Sequence, residues 1–323
     1  MRHLLAIDAG GTKCEALLLS EEGQVLGRGR CDIGHPESGR GLGGCGRSAD
    51  TVAQAVRQAL ASAPTASELH VAGWGMAADA LKGLAGPGVE VIRHGFGESE
   101  GALALAGSRA GVVALAGTGA LAYARATDGR ELLLDALGPL LGDHGSAYHL
   151  GLMAVRAVAQ AGWHPRHRTS LEEPVLRTCA ALVGDPPHFS LVHFMLEPRD
   201  RAELACLARL VDEHANAGDS VAQGLLRTAA DALAETVWDV VDRLGIAQAE
   251  LPLVGTGSVA TRSRIYWARL CERAHGFAPR LQPILPSLPA VAGVALALAS
   301  RMPGVDVDRF RRGLEEAAAA GGL

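Results

Sequence analysis

The chain has 323 residues, of which 48% are hydrophobic and 20% charged, and it carries a formal net charge of −5. This is ordinary globular composition, and the acidic balance excludes a nucleic-acid binder that works through a basic face. No apolar run approaches the ~18 residues a membrane span needs, and the four apolar residues between His3 and Asp8 are too few for a signal peptide.

Residues 3–7 predict a strand ending in a turn at Asp8-Ala9-Gly10-Gly11, and residues 15–19 predict a second strand. A hairpin turn at Glu21-Glu22-Gly23-Gln24 leads into a third strand over 25–31. A glycine-rich loop over 34–46 follows, then a helix over 48–62. Ser48 is its expected N-cap, and Val52, Ala55, Val56 and Leu60 share one face. Strands over 69–73 and 89–92 are each expected to lead into a helix.

The pattern then restarts. Residues 111–116 predict a strand, Gly117-Thr118-Gly119 a turn, 120–126 a second strand, 127–130 a hairpin turn, and 131–134 the opening of a third strand. Long helices are expected over 146–161, 201–215 and 220–244. A strand over 251–254, a helix over 262–274, a strand over 280–284 and a helix over 289–300 follow, and the Ala/Gly-rich C-terminus reads as a tail. A β-β-β-α-β-α unit thus occurs twice, which predicts two similar α/β domains facing each other across a cleft. We place them at 1–109 and 110–323, with the final helix able to pack back on the first.

The chemistry-bearing strings are glycine turns between strands. In Asp8-Ala9-Gly10-Gly11-Thr12-Lys13, the glycines let the backbone turn tightly and bring its N–H groups to a phosphate. Thr12 adds a hydroxyl, Lys13 offsets charge, and Asp8 suits Mg²⁺ held through water. Gly117-Thr118-Gly119 suits a second phosphate clamp from the other domain. Val254-Gly255-Thr256-Gly257-Ser258 lies between a strand and a helix, where Gly255 and Gly257 would let a nucleoside approach the backbone. Any one of these is also what a plain tight turn looks like.

Taken in order, the three turns resemble the actin-like ATPase superfamily and, more narrowly, the N-acetylglucosamine kinase group of the BadF/BadG-type ATPases. Leu141-Gly142-Asp143-His144-Gly145-Ser146-Ala147-Tyr148 is similar to that family's G-D-E-G-S-(A/G)-Y motif, and Ala292-Gly293-Val294-Ala295-Leu296 to its closing helix. The resemblance implies two RNase H-like domains around a nucleotide cleft, phosphorylation of an amino sugar by ATP with Mg²⁺, and a cytoplasmic homodimer. N-acetylglucosamine is the first substrate it implies, with glucosamine or N-acetylmuramic acid next. It also implies that Asp143 and Thr118 bind the sugar, Thr118 serving the nucleotide side as well.

The family's catalytic Asp precedes the second phosphate turn in a D-A-x-x-A-L-A-G setting. Here the corresponding string begins at Glu100, so a carboxylate one methylene longer is the expected base, with Glu98 nearby as its alternative. His35 stands where the family has a sugar-binding Asn, and Gly75 and Met76 stand in its small G-x-(S/A)-G loop. These departures bear on which sugar fits. A partner-coupled ATPase or a sugar sensor without catalysis are the alternatives on the same fold.

Other strings are set aside. Gly39-Arg40-Gly41-Leu42-Gly43-Gly44 satisfies a dinucleotide fingerprint but does not directly follow a strand. A Walker A string is absent from the sequence, and His164 and His167 flank a proline, which disfavours a metal site. The six scattered cysteines form no C-x-x-C pair and read as reduced thiols.

Overall fold

Apolar content orders the strands within each sheet. The computed structural model describes residues 1–10, 13–32, 49–61, 66–73, 78–95, 97–183, 187–196 and 200–323. β1 (Arg2–Ala9) and β2 (Lys13–Leu19) are nearly continuous apolar runs buried on both faces, as inner strands must be. β3 (Val25–Asp32) and β5 (Glu90–His94) carry exposed polar positions and lie at the edges, with β4 (Glu68–Gly73) inside. The order is β3-β2-β1-β4-β5, the first three antiparallel and the last two parallel to β1.

α1 (Ala49–Leu60) covers one face of this sheet with Val52, Ala55, Val56 and Ala59. α2 (Ala78–Ala85) and α3 (Glu98–Leu105) follow β4 and β5 as expected. The other face is covered by α12 (Ala290–Ala299), which is apolar all round and buried from Val291 to Ala299. Such a helix is stable only when enclosed, and it packs against both β1 and α3.

The second sheet repeats the plan. β6 (Gly111–Ala116), β7 (Ala120–Arg125) and β8 (Glu131–Asp135) are antiparallel, and β9 (Pro252–Thr256) and β10 (Gln282–Ile284) continue it in parallel. The order β10-β9-β6-β7-β8 is that of the first sheet read in reverse, so the duplication in the sequence is a duplication of topology. α9 (Ser220–Leu244) packs on it, burying a long stripe from Ala222 to Leu244, and α4 (Ala147–Gln160) packs against α9.

The chain divides into two units. One holds β1 to α3 together with Pro286–Leu323; the other runs from Ala110 to Leu285. The second unit therefore ends at Leu285 rather than running on to the C-terminus. The segment read as a tail is instead α13 (Val307–Ala319), an amphipathic helix that buries Phe310 and Leu314 in the first unit's core.

Two expected helices differ from their predicted form for local reasons, and two more helices are additional. The 201–215 helix parts at Cys206 into α7 (Arg201–Ala205) and α8 (Leu207–Asn216), and the Cys206 thiol donates back to the Glu203 carbonyl. The 262–274 helix becomes α10 (Ser258–Arg262) and α11 (Arg264–Phe277). Between them Ser263 is extended and its hydroxyl caps the Tyr266 amide. α5 (Glu172–Val183) and α6 (Pro187–Leu196) were not foreseen. Among the described residues no helix is long and apolar enough to cross a membrane.

Candidate functional site

In the first unit, β1 carries Asp8 to its C-terminal end. The turn that follows closes by a 2.9 Å bond from the Gly10 amide to the Lys13 carbonyl. Asp8 lies directly across the ladder from Glu15, so two carboxylates stand side by side. Cations offset that repulsion: Lys13 Nζ is 2.6 Å from Glu15 Oε2, with Arg28 and Arg30 at 3.5 and 3.7 Å from Oε1. Lys13 is thus held beside the turn by a buried partner the sequence reading did not assign. Burial, reinforced by the carboxylate of Asp8, pushes the neighbouring Cys14 thiol up to about 12, which favours the protonated thiol at neutral pH.

Glu98 and Glu100 both lie in the first turn of α3, where the helix dipole favours acids. Glu100 Oε1 is 2.7 Å from Arg301, which also donates to the Gly95 carbonyl at 3.0 Å. The helix itself is held by its crossing with α12, where a Cβ on Gly293 would stand 2.5 Å from the Gly101 carbonyl oxygen. Arg311 secures the other end by donating to the carbonyls of Ala104 and Leu105, a favourable place for a cation. Close by, His70 Nδ1 and His94 Nε2 are 3.0 Å apart. Burial, the His70 ring and Arg301 together hold His94 below the ordinary histidine value.

In the second unit, the Gly117-Thr118-Gly119 turn and the Gly142–Tyr148 string form one piece of structure. The Gly117 amide closes the turn onto the Gly119 carbonyl at 2.9 Å. The first amides of α4, from Ala147 and Tyr148, donate to the carbonyls of Gly117 and Thr118 at 2.8 and 3.3 Å. Helix amides left over at an N-terminus thereby fasten the glycine turn. Ser146 caps α4 by accepting from the His149 amide.

Asp143 is the centre of this arrangement. Its backbone is left-handed, with φ 57°, and the side chain of Asp135 takes the amides of Asp143 and His144 at 2.7 and 3.1 Å. From the far side the Tyr266 hydroxyl donates to the Gly145 carbonyl at 2.9 Å. The Asp143 carboxylate is buried; Oδ1 accepts from the Ala120 amide at 3.0 Å and Oδ2 pairs with Arg201. Burial lifts Asp143 above the ordinary aspartate value, against the pull of the Ala120 amide and Arg201.

The third turn touches the second. Gly257 has φ 85°, and a Cβ there would stand 2.4 Å from the Ala116 carbonyl oxygen. At Gly255 the space of a side chain is already filled: a Cβ there would stand 2.6 Å from Trp267 and 2.7 Å from Leu285. The structure thus brings Gly117, Thr118, Gly119, Asp143 and Gly257 together in the second unit, and Asp8, Gly10 and Lys13 in the first. Gly11, Thr12, His35, Gly75 and Met76 lie outside the described residues. Sequence reasoning missed Arg201, Asp135, Tyr266 and Arg301. Arg201 left one trace, since Asp200 and Glu203 around it spell the capping box that starts α7.

Residues 5–297 match the sequence profile of the BadF/BadG/BcrA/BcrD ATPase family. An N-acetylmuramic acid/N-acetylglucosamine kinase from Clostridium acetobutylicum is 29% identical over 161 residues, 49% of this chain and 51% of that protein. An N-acetyl-D-glucosamine kinase from Dictyostelium discoideum is 31% identical over 158 residues, 48% of each. The matches therefore span about half the length of these curated relatives. A candidate N-acetylglucosamine kinase from Chromobacterium violaceum shares the fold, with TM-score 0.62 and 24% identity over 92% of this chain and 99% of that one.

Proposed function

Because this chain belongs to the BadF/BadG/BcrA/BcrD ATPase family, we propose that it transfers the terminal phosphoryl group of ATP to a hydroxyl of an amino sugar. N-acetylglucosamine is the first choice, with glucosamine or N-acetylmuramic acid next; the two named relatives support that class. One observation carries the reading. A buried carboxylate that can accept sugar hydroxyls, Asp143, is bonded to the residue directly after a glycine turn of phosphate-binding type. An acceptor hydroxyl and a phosphate are what a phosphotransferase must bring together.

In this reading the Gly117–Gly119 and Gly10–Lys13 turns hold phosphate oxygens, and the backbone of the Gly255–Gly257 loop lies against the nucleoside, with Gly255 itself packed under Trp267 and Leu285. Asp143 orients the sugar. Glu100 accepts the hydroxyl proton, its carboxylate aimed through Oε1 by Arg301, with Glu98 in the same first turn as the alternative. The oxygen donor of Asp8, at the end of β1, fits a hard cation held through water, and Mg²⁺ there would neutralise phosphate charge. We read the protein as a cytoplasmic homodimer; no disulfide joins the described cysteines, which suits a reducing compartment.

The experiment is ADP release from ATP-Mg²⁺ against a panel of amino sugars, with Glu100→Gln as control. Sugar-dependent ADP that disappears in the variant supports the reading. Protein that binds ATP and turns over none of the sugars sinks it.

A further inference from the structure

We propose that Arg201 is a positioning residue for the carboxylate of Asp143, and that residue 119 is glycine in order to admit that pair. The inference rests on the reading of Asp143 as a sugar-binding group and adds two residues to it.

Three constraints meet at Asp143. Its left-handed backbone costs about 1–2 kcal/mol for a residue with a side chain, and the Asp135 carboxylate offsets this by taking two successive amides. Its own carboxylate is withdrawn from water, and a buried charge persists only when paired and hydrogen-bonded. The available donors are one amide, from Ala120 to Oδ1, and one guanidinium, from Arg201 to Oδ2. A carboxylate offers about four acceptor positions. After these two bonds each oxygen keeps one for a substrate hydroxyl, and both oxygens are fixed in direction.

Arg201 is itself placed before it meets Asp143. It is the first residue of α7, whose start is set by the reciprocal bonds of Asp200 and Glu203. The guanidinium therefore arrives from a rigid element, as a group that must aim another group should.

Residue 119 supplies the last constraint. Gly117 and Gly119 have no positive φ, so the backbone of this turn does not demand glycine. Space at residue 119 does: a Cβ there would stand 2.6 Å from Asp143 Oδ1 and 3.0 Å from Arg201 Nη2. The last glycine of the turn is thus explained by the pair it accommodates. Charged and titratable groups around Asp143 are Arg201 from α7, Asp135 from the end of β8, the adjacent His144, and Tyr148 from α4.

Arg201→Met, Arg201→Lys and Gly119→Ala test this, with thermal melting as the check on folding. Direct titration of the Asp143 carboxyl by ¹³C NMR, assigned with Asp143→Asn, should show its midpoint moved to higher pH in Arg201→Met, with Arg201→Lys between. In turnover, losing a charge-assisted bond should raise the sugar KM about tenfold or more. The ATP KM should stay unchanged and kcat should move by less than about threefold, since uniform binding is what is lost. The acid limb of kcat/KM should shift upward, and lysine should recover part of each effect. Gly119→Ala should imitate Arg201→Met in the Asp143 midpoint and in the sugar KM.

An unmoved Asp143 midpoint, or a sugar KM that falls when Arg201 is removed, overturns the proposal; the latter would make Arg201 a latch over the site. If Arg201→Met does not fold, Arg201→Lys and Gly119→Ala carry the same readouts. A wild-type protein that turns over no amino sugar refutes the sugar reading alone, while the titration still decides whether Arg201 sets Asp143.

Discussion

Each unit contains an acid–arginine pair at the beginning of a helix, and the two differ in how much water reaches them. Glu100 and Arg301 in the first unit have side chains 15% and 40% exposed. Asp143 and Arg201 in the second are 3% and 19% exposed. Solvent screens the first pair, so it is worth about 0–1 kcal/mol and its value lies in aiming a carboxylate. The second pair is desolvated. It adds little over an apolar replacement of both partners, but removing one leaves a buried charge behind, at about 3–5 kcal/mol. Exposure thus separates an orienting contact from one on which the local fold depends.

The most disruptive change should be Asp143→Ala. It removes the sugar acceptor and strands Arg201, so sugar-dependent turnover should vanish and the melting temperature should fall by about 10 °C. A variant melting within a few degrees of wild type would show the pair to be less enclosed than described. Glu100→Gln should be the reverse case. Turnover drops by about 10²–10⁴-fold, the range for loss of a positioned base, while the melting temperature hardly moves. If Glu98→Gln shows the larger loss, the base is Glu98 and Arg301 serves only α3.

Acid titration sharpens the contrast further. The folded value of Asp143 is raised, so the folded state binds that proton more tightly than the unfolded chain does. Its contribution to stability is therefore fully present below the unfolded value, near 3.9, and declines as pH rises through the folded value. Activity needs the ionised carboxylate and should rise across the same interval. His94 and His149 are depressed by burial, and their contribution is present above about 6.5 and lost as pH falls. Parallel melting and kcat/KM profiles from pH 4 to 8 would separate these opposite slopes. The smallest effect should come from Arg301→Ala, about 1 kcal/mol or less in stability, seen chiefly as a reduced kcat.

Much of this was legible in the sequence where the signal is local. Apolar runs and glycine turns located the β1–β2 and β6–β7 hairpins within a residue or two, and the repeated order announced the duplicated topology. What escaped was long-range. Arg301 lies 201 residues from Glu100 and Arg201 lies 58 from Asp143, and periodicity says nothing about such partners. α13 was missed because alanine and glycine near a C-terminus resemble a tail until Phe310 and Leu314 find a core. The reason for glycine at 119 was also out of reach. A phosphate turn and a crowded carboxylate both ask for the same residue, and only the positions of Asp143 and Arg201 separate them.

The most direct test of phosphotransfer is ³¹P NMR of the protein with ATP, Mg²⁺ and N-acetylglucosamine, glucosamine or N-acetylmuramic acid. The account predicts a sugar phosphate ester appearing in step with ADP for at least one of them, and no ester with Asp143→Ala. Inorganic phosphate released at the same rate with and without sugar, and no ester, would contradict it.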